Sequence, residues 1–236
     1  MKKFLKKSQL TLLISLFFFS CETKNGISLI YLFDISGSFH KTALPASVDL
    51  AKKLFEQFSN NQYGLPIKPQ LHQVAAIDEQ SVEIGNDCYT KVEESNIFDD
   101  EKTKVKPNLE VCLEKIKLSK RSLYTDLDGA LLTASQALQT SNLYGKGLII
   151  FSDLHEDVPI PKTYNYDLNN VSILIVYELS NIQIKNPGLF EEDKEAVMNK
   201  LTSNGADPSR ILFRNLKSLN TSPEEAVSFF RKSFKN

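Results

Sequence analysis

Ile27-Ser28-Leu29-Ile30-Tyr31-Leu32-Phe33 runs directly into Asp34-Ile35-Ser36-Gly37-Ser38, and the reading of these twelve residues decides the fold. A nearly unbroken apolar run of this length reads as a strand buried on both faces, the kind found inside parallel sheets. Asp34, Ser36 and Ser38 then emerge together at its C-terminal end, where open α/β sheets bind ligands. The Asp34 carboxylate is expected to face solvent there and to contribute little to the core. One carboxylate and two hydroxyls on alternate positions of a tight loop suit a hard divalent cation, Mg²⁺ or Mn²⁺, with oxygen ligands and several retained waters. Taken alone, a turn rich in Asp, Ser and Gly reads equally well as a solvated loop.

Two later segments repeat the pattern. Thr125, in the stretch YTDLDGALLTA, opens a helical pattern with Ala130, Ala134 and Ala137 at closely packing positions. Asp153, in GLIIFSDLHED, ends a second apolar run, Leu148 to Phe151. Together the five residues resemble the metal-ion-dependent adhesion site of von Willebrand factor A domains: Asp34, Ser36 and Ser38 match its first loop, Thr125 its second and Asp153 its third. The resemblance covers most of the chain after residue 26. It implies an α/β fold with a doubly wound, mostly parallel six-stranded sheet and helices on both faces, spanning 27–236. It also implies a bound Mg²⁺ or Mn²⁺ and a non-enzymatic role, in which a protein partner supplies an acidic side chain to the metal. Two positions depart from the family pattern. Leu123 and Tyr124 precede Thr125 where glycine is common, and the third loop reads Ser152-Asp153-Leu154 in place of Thr-Asp-Gly.

The rest of the chain alternates helical and strand patterns, which argues for a parallel sheet covered by helices. Val48, Leu50, Ala51, Leu54, Phe55 and Phe58 predict an amphipathic helix over 43–59. Strands are expected at 71–77, at an edge around 88–92, at 148–151, at 171–177 and at 210–214. Further helices are expected from Pro107 to Leu118, over 125–140 and over 190–203. Ser222, Pro223, Glu224 and Glu225 read as the capped start of a last helix, with Phe229, Phe230 and Phe234 on its buried side.

The N-terminus carries Lys2, Lys3, Lys6 and Lys7, then a short apolar stretch from Leu10 to Phe19. A basic segment followed by about ten apolar residues reads as an export signal, too short to span a membrane. Ser20-Cys21 resembles the end of a bacterial lipobox, which implies a signal peptide over 1–20, lipid on Cys21, a tether over 21–26 and anchorage in a bacterial cell envelope. Removing residues 1–20 leaves 216 residues with 24 basic against 29 acidic side chains, one globular domain and a mildly acidic one. That balance gives no electrostatic footprint for nucleic acid. With Cys21 assigned to lipid, Cys88 and Cys112 remain as an even pair, for which an oxidising compartment favours a disulfide over two buried thiols.

Enzymatic readings find less support. Ser152-Asp153-Leu154-His155 resembles the first metal motif of calcineurin-like metallophosphoesterases, but such two-metal centres need further ligands downstream, and no histidine follows His155. Ser36 and Ser38 lack the G-x-S-x-G elbow of serine hydrolases. A metal-dependent phosphoesterase or other hydrolase using the same loops is the competing class. His155, Glu156, Asp157 and Tyr124 border the loops, either as contributors to the site or as ordinary solvated neighbours.

Overall fold

Alternate residues of the first apolar run go to opposite sides of one sheet. Ile27, Leu29, Tyr31 and Phe33 join one apolar layer, and Ile30 and Leu32 join the other, as the two-residue period of a strand requires. The computed structural model describes residues 24–60, 65, 69–78, 88–92, 101–159 and 164–234; the expected signal peptide and Cys21 lie outside them. The first strand, β1, is Lys24–Asp34. It therefore takes Lys24, Asn25 and Gly26 from the stretch expected as tether.

The chain continues through α1 (Gly37–Thr42), α2 (Leu44–Ser59), β2 (Gln70–Ile77), β3 (Tyr89–Val92), α3 (Glu101–Lys117), α4 (Leu127–Thr140), β4 (Leu143–Ser152) and β5 (Val171–Tyr177). It ends with α5 (Asn181–Lys185), α6 (Pro187–Ser203), β6 (Ile211–Asn215), α7 (Leu216–Thr221) and α8 (Glu224–Ser233). The six strands lie in the order β3-β2-β1-β4-β5-β6. All pairs are parallel except β2 with the edge strand β3. From β1 the chain winds one way to β3, then restarts at β4 and winds the other way. The switch point falls between the C-terminal ends of β1 and β4, where doubly wound sheets open a crevice.

One layer packs α2, α3, α7 and α8 against the sheet through Val48, Leu54, Leu113, Leu219 and Phe230. The other packs α4 and α6 through Leu131, Ala134, Val197 and Leu201. Phe33 and Phe151 stack across β1 and β4 with centroids 4.6 Å apart, directly beneath the switch point. Phe230 and Phe234 are buried and Phe229 partly so, the disposition expected of them.

Several element boundaries differ from the sequence reading. β4 begins five residues before the apolar run that announced it, because Gly145 and Gly147 mask its pattern. Gly147 is needed there: a Cβ would stand 2.4 Å from Leu29 Cδ2 and 2.9 Å from the Phe230 ring. α3 starts at Glu101, six residues before Pro107. α4 starts at Leu127, since Asp126 is its N-cap and accepts from the Gly129 amide at 2.9 Å. No side chain caps α8; backbone bonds from Glu225 N to Ser222 O and Ala226 N to Pro223 O form its first turn instead.

Cys88 and Cys112 are joined by a disulfide that ties the approach to β3 to α3, with Cα atoms 5.5 Å apart. A four-residue edge strand pairs on one side only, so this tie secures an otherwise weak corner. Replacing both cysteines by alanine is expected to lower stability by about 3 kcal/mol, the loop-closure value for a cross-link of this span. Denaturant melts of the two proteins would measure it.

A buried chain of polar groups crosses the layer beside α2. Gln70 Nε2 donates to the Phe58 and Leu65 carbonyls, so its Oε1 accepts from His72 Nε2 at 3.0 Å, and His72 Nδ1 accepts from Tyr31 Oη at 3.0 Å. Burial pushes the His72 pKa down to about 3, and the neutral ring is fully hydrogen-bonded, a structural role.

Candidate metal centre

Asp34 ends β1 and Ser152 ends β4, side by side at the switch point. The Asp34 carboxylate is fully buried, which corrects the expectation of a solvent-facing group. Its Oδ1 accepts from the Ser36 amide at 2.8 Å and its Oδ2 from Ser152 Oγ at 2.7 Å. Burial, with the charge of Asp153 added, raises its pKa to about 7. Asp153 is buried as well, and desolvation raises its pKa too. Two carboxylates out of water and repelling each other are unfavourable unless a positive charge or a proton joins them.

The hydroxyls complete the arrangement. Ser38, in the first turn of α1, donates from Oγ to Asp153 Oδ2 at 2.5 Å, joining the first and third loops. Ser36 is 2% exposed, and its Oγ has no hydrogen-bond partner of ordinary geometry among the described residues. It lies close enough to Asp34 to favour that group's ionised form. A buried hydroxyl without a partner of ordinary geometry beside a buried carboxylate is the kind of exception that signals a missing ion or water.

Thr125 is buried, and its amide donates to Asp157 Oδ1 at 2.8 Å. The second loop is fixed over β1 and β2 by Ser122 N to Ile35 O at 2.9 Å, Asp126 N to Asp78 O at 3.1 Å and the bridge between Ser36 and Ser122. His40 Nε2 adds a bond to Ser119 O at 3.0 Å. All three loops therefore converge on the same end of the sheet. Direct hydrogen bonds link Asp34 with Ser36 and Ser38 with Asp153, while Thr125 is held through Asp157.

The donor set fits a hard cation. Among the described residues no three His, Cys, Asp or Glu side chains gather as a cage, so an ion here would rest on two carboxylates and neutral hydroxyls. Two carboxylates and the hydroxyls of Ser36, Ser38 and Thr125 offer oxygen only, as Mg²⁺ and Mn²⁺ require.

The third loop keeps its shape without the glycine usual in such loops. Leu154 sits at φ 68°, in the left-handed region, and is 2% exposed. That backbone costs about 1–2 kcal/mol for a non-glycine residue, and burying the leucine side chain returns about 1.5–3 kcal/mol. Leu154 N donates to Ser152 Oγ at 2.9 Å and His155 N to Asp153 Oδ1 at 3.1 Å.

His155 and Glu156 border the loops, as noted from the sequence, but several residues that support the site with them had no role in the sequence reading. Ser152 holds Asp34. Gln183 donates from Nε2 to Asp153 O at 2.8 Å and to Asp193 Oδ2 at 2.9 Å, and His155 Nδ1 meets the Asp193 carboxylate at 3.3 Å. Glu156 accepts from Asp128 N at 3.3 Å and pairs with Lys200, which also reaches Asp128 at 3.0 Å. The S-x-x-Q spacing of Ser180 and Gln183 is a capping-box signature and could have revealed α5. Nothing local marks Asp193.

No protein-family profile matches the chain, and no curated protein does. Solved structures do. A von Willebrand factor type A protein from Catenulispora acidiphila superposes with a TM-score of 0.54 at 11% identity, covering 89% of this chain and 43% of that one. The pilus adhesin SpaC from Lactobacillus rhamnosus GG, in its open conformation, gives 0.50 at 12% identity over 89% of this chain and 30% of that one. The fold is that of a von Willebrand factor A domain. The chain spans less than half the length of either structure.

Proposed function

We propose that this A-type domain is a lipid-anchored, non-enzymatic adhesion module of a bacterial cell envelope that binds a protein partner through Mg²⁺ or Mn²⁺. Ser36, Ser38 and Thr125 ligate the cation directly, and Asp34 and Asp153 ligate it or hold its waters. A bound cation would supply Lewis-acidic charge for an acidic side chain of the partner, with these residues holding it in place. The observation that carries the reading is the buried Ser36 hydroxyl, without a partner of ordinary geometry, beside Asp34, whose pKa is raised as is that of Asp153. In the competing hydrolase reading, His155 of the third loop is engaged with Asp193, and activation of water would fall to a buried carboxylate such as Asp34.

Membrane attachment is assigned to Cys21 rather than to a span. No helix among the described residues is long and apolar enough to cross a membrane. Cys21→Ser is expected to move the protein from the detergent phase to the aqueous phase or to leave the precursor unprocessed. Mass spectrometry finding an unmodified Cys21 within an intact N-terminus would refute lipidation.

The central test is capture of envelope proteins on the immobilised domain. Capture is expected with Mg²⁺, lost with a chelator, and weakened by Thr125→Ala, which deletes one ligand oxygen. Capture indifferent to chelator would sink the metal-dependent mechanism. Mg²⁺-dependent turnover of phosphomonoesters or phosphodiesters by the purified protein would favour the hydrolase instead.

A further inference from the structure

The end of the sheet remote from the metal centre carries a second concavity. β4 runs from Leu143 to Ser152, so at about 3.3 Å per residue its first residues stand roughly 30 Å from that centre. A cavity of about 500 Å³ opens there, within the range of about 300–1,000 Å³ usual for small-ligand sites. The turn between α4 and β4, the residue before β5, Arg210 ahead of β6 and the end of α8 surround it.

The lining is basic in a protein that is not. Lys146 and Arg210 line the cavity and no Asp or Glu does so among the described residues, although the whole chain holds 29 acidic against 28 basic side chains. Both cations are fixed by neutral acceptors: Lys146 Nζ donates to Gln139 Oε1 at 2.6 Å, and Arg210 Nη1 donates to Asn170 O at 3.2 Å. These bonds hold the charges in place without neutralising them. Asp207, three residues before Arg210, accepts from the Ser209 amide at 2.8 Å. Lys146 is level with Val171, and Ile211 with Ile173, across three adjacent strands. At about 4.8 Å per strand the Cα atoms of the two cationic residues are then about 10 Å apart, so one small ligand can touch both side chains.

Two helices end at the same cavity, α4 at Gln139 and Thr140 and α8 at Ser233. A helix C-terminus carries about half a negative charge and unpaired carbonyls, so the lining also calls for hydrogen-bond donors. The two whole positive charges outweigh the two half charges, and the field still favours an anion. Asn142 and Asn170 add exposed amides that both donate and accept. Asn170 stands at φ 61°, in the left-handed region that asparagine tolerates better than most residues, and its carbonyl is the one that holds Arg210. Tyr144, 53% exposed, adds an aromatic ring that a flat ligand face can cover.

We propose that this cavity binds an acidic sugar. The carboxylate of a pyranose meets Lys146 and Arg210, its hydroxyls donate to the carbonyls at the helix ends and share bonds with Asn142 and Asn170, and its C–H face covers Tyr144. An inorganic anion satisfies only the first of these contacts, and a neutral sugar only the others. The site is independent of the metal centre.

The test titrates the full chain in detergent, with chelator present so that the metal centre plays no part, against methyl glucuronide, methyl glucoside and inorganic phosphate. Calorimetry is expected to show methyl glucuronide binding about tenfold more tightly than either of the others, the difference made by a charge-assisted contact. Lys146→Met with Arg210→Met should lower its affinity to that of methyl glucoside. Tyr144→Ala should weaken both glycosides about fivefold, with thermal melts at the wild-type midpoint showing that the variants are folded. Equal affinity for the two glycosides, no binding of methyl glucuronide, or a glucuronide preference that survives in the double variant overturns the proposal. So does phosphate bound as tightly as methyl glucuronide, which would mark a site for simple anions.

Discussion

Asp34→Asn is expected to abolish measurable Mg²⁺ binding while leaving the metal-free protein at least as stable as the wild type at pH 8. The asparagine is isosteric: its oxygen can accept from the Ser36 amide, and its NH₂ can donate to Ser152 Oγ, which reverses the present bond and turns the Ser152 hydroxyl proton elsewhere. The charge is lost, and in the metal-free protein that charge is a burden. Burial, reinforced by Asp153, pushes the Asp34 pKa up to about 7, above the ordinary value of about 3.9 in an unfolded chain. Between these limits the folded protein keeps a proton that the unfolded chain has released. The associated stability is fully present below about pH 4 and is lost as pH rises through 7, a change of up to about 4 kcal/mol. Thermal melts in chelator should therefore show the wild type falling from pH 5 to pH 8 and the variant falling less. Mg²⁺ should restore the wild type at pH 8, because binding needs the deprotonated carboxylate, and should do nothing for the variant. Retention of wild-type Mg²⁺ affinity by Asp34→Asn would remove the chief support for the centre. Alanine is the poorer choice, since it strands the Ser36 amide and the Ser152 hydroxyl at about 1–3 kcal/mol each.

Ser36→Ala should separate stability from binding. Its hydroxyl is buried without a partner of ordinary geometry, and deleting it removes both a poorly satisfied polar group and its favourable influence on the Asp34 carboxylate, so the metal-free protein is expected to change in stability by no more than about 1 kcal/mol. The same deletion removes one of the proposed ligand oxygens. A bond from a neutral group to a charged one contributes about 1.5–3 kcal/mol, so Mg²⁺ affinity should fall roughly tenfold to a hundredfold. Titration calorimetry reads the second effect and melts in chelator read the first. A variant that is destabilised without metal, yet binds Mg²⁺ as the wild type does, would show that Ser36 serves the fold rather than the ion.

The strand Ile27 to Phe33 was legible because a core strand must be apolar wherever it meets both layers, and Val171 to Tyr177 was legible to the residue for the same reason. β4 was only half legible, since Gly145 and Gly147, which admit Phe234 and Phe230, carry no apolar signal. α5 was invisible to apolar periodicity because it buries a glutamine and exposes two isoleucines.

The candidate ligands Asp34, Ser36, Ser38, Thr125 and Asp153 could be named from the sequence, because each directly follows a patterned element or precedes one, and oxygen donors at such ends are a local feature. The environment of those ligands was decided by the tertiary structure alone. That Asp34 is sealed from water, held by Ser152 and raised in pKa by Asp153 depends on β1 and β4 lying side by side, although their ends are more than a hundred residues apart in the chain. The same holds for Asp157 on Thr125 and Gln183 on Asp153. Donor type and strand pattern are written locally, whereas desolvation and charge coupling fall off over a few ångströms of space and have no fixed relation to distance along the chain.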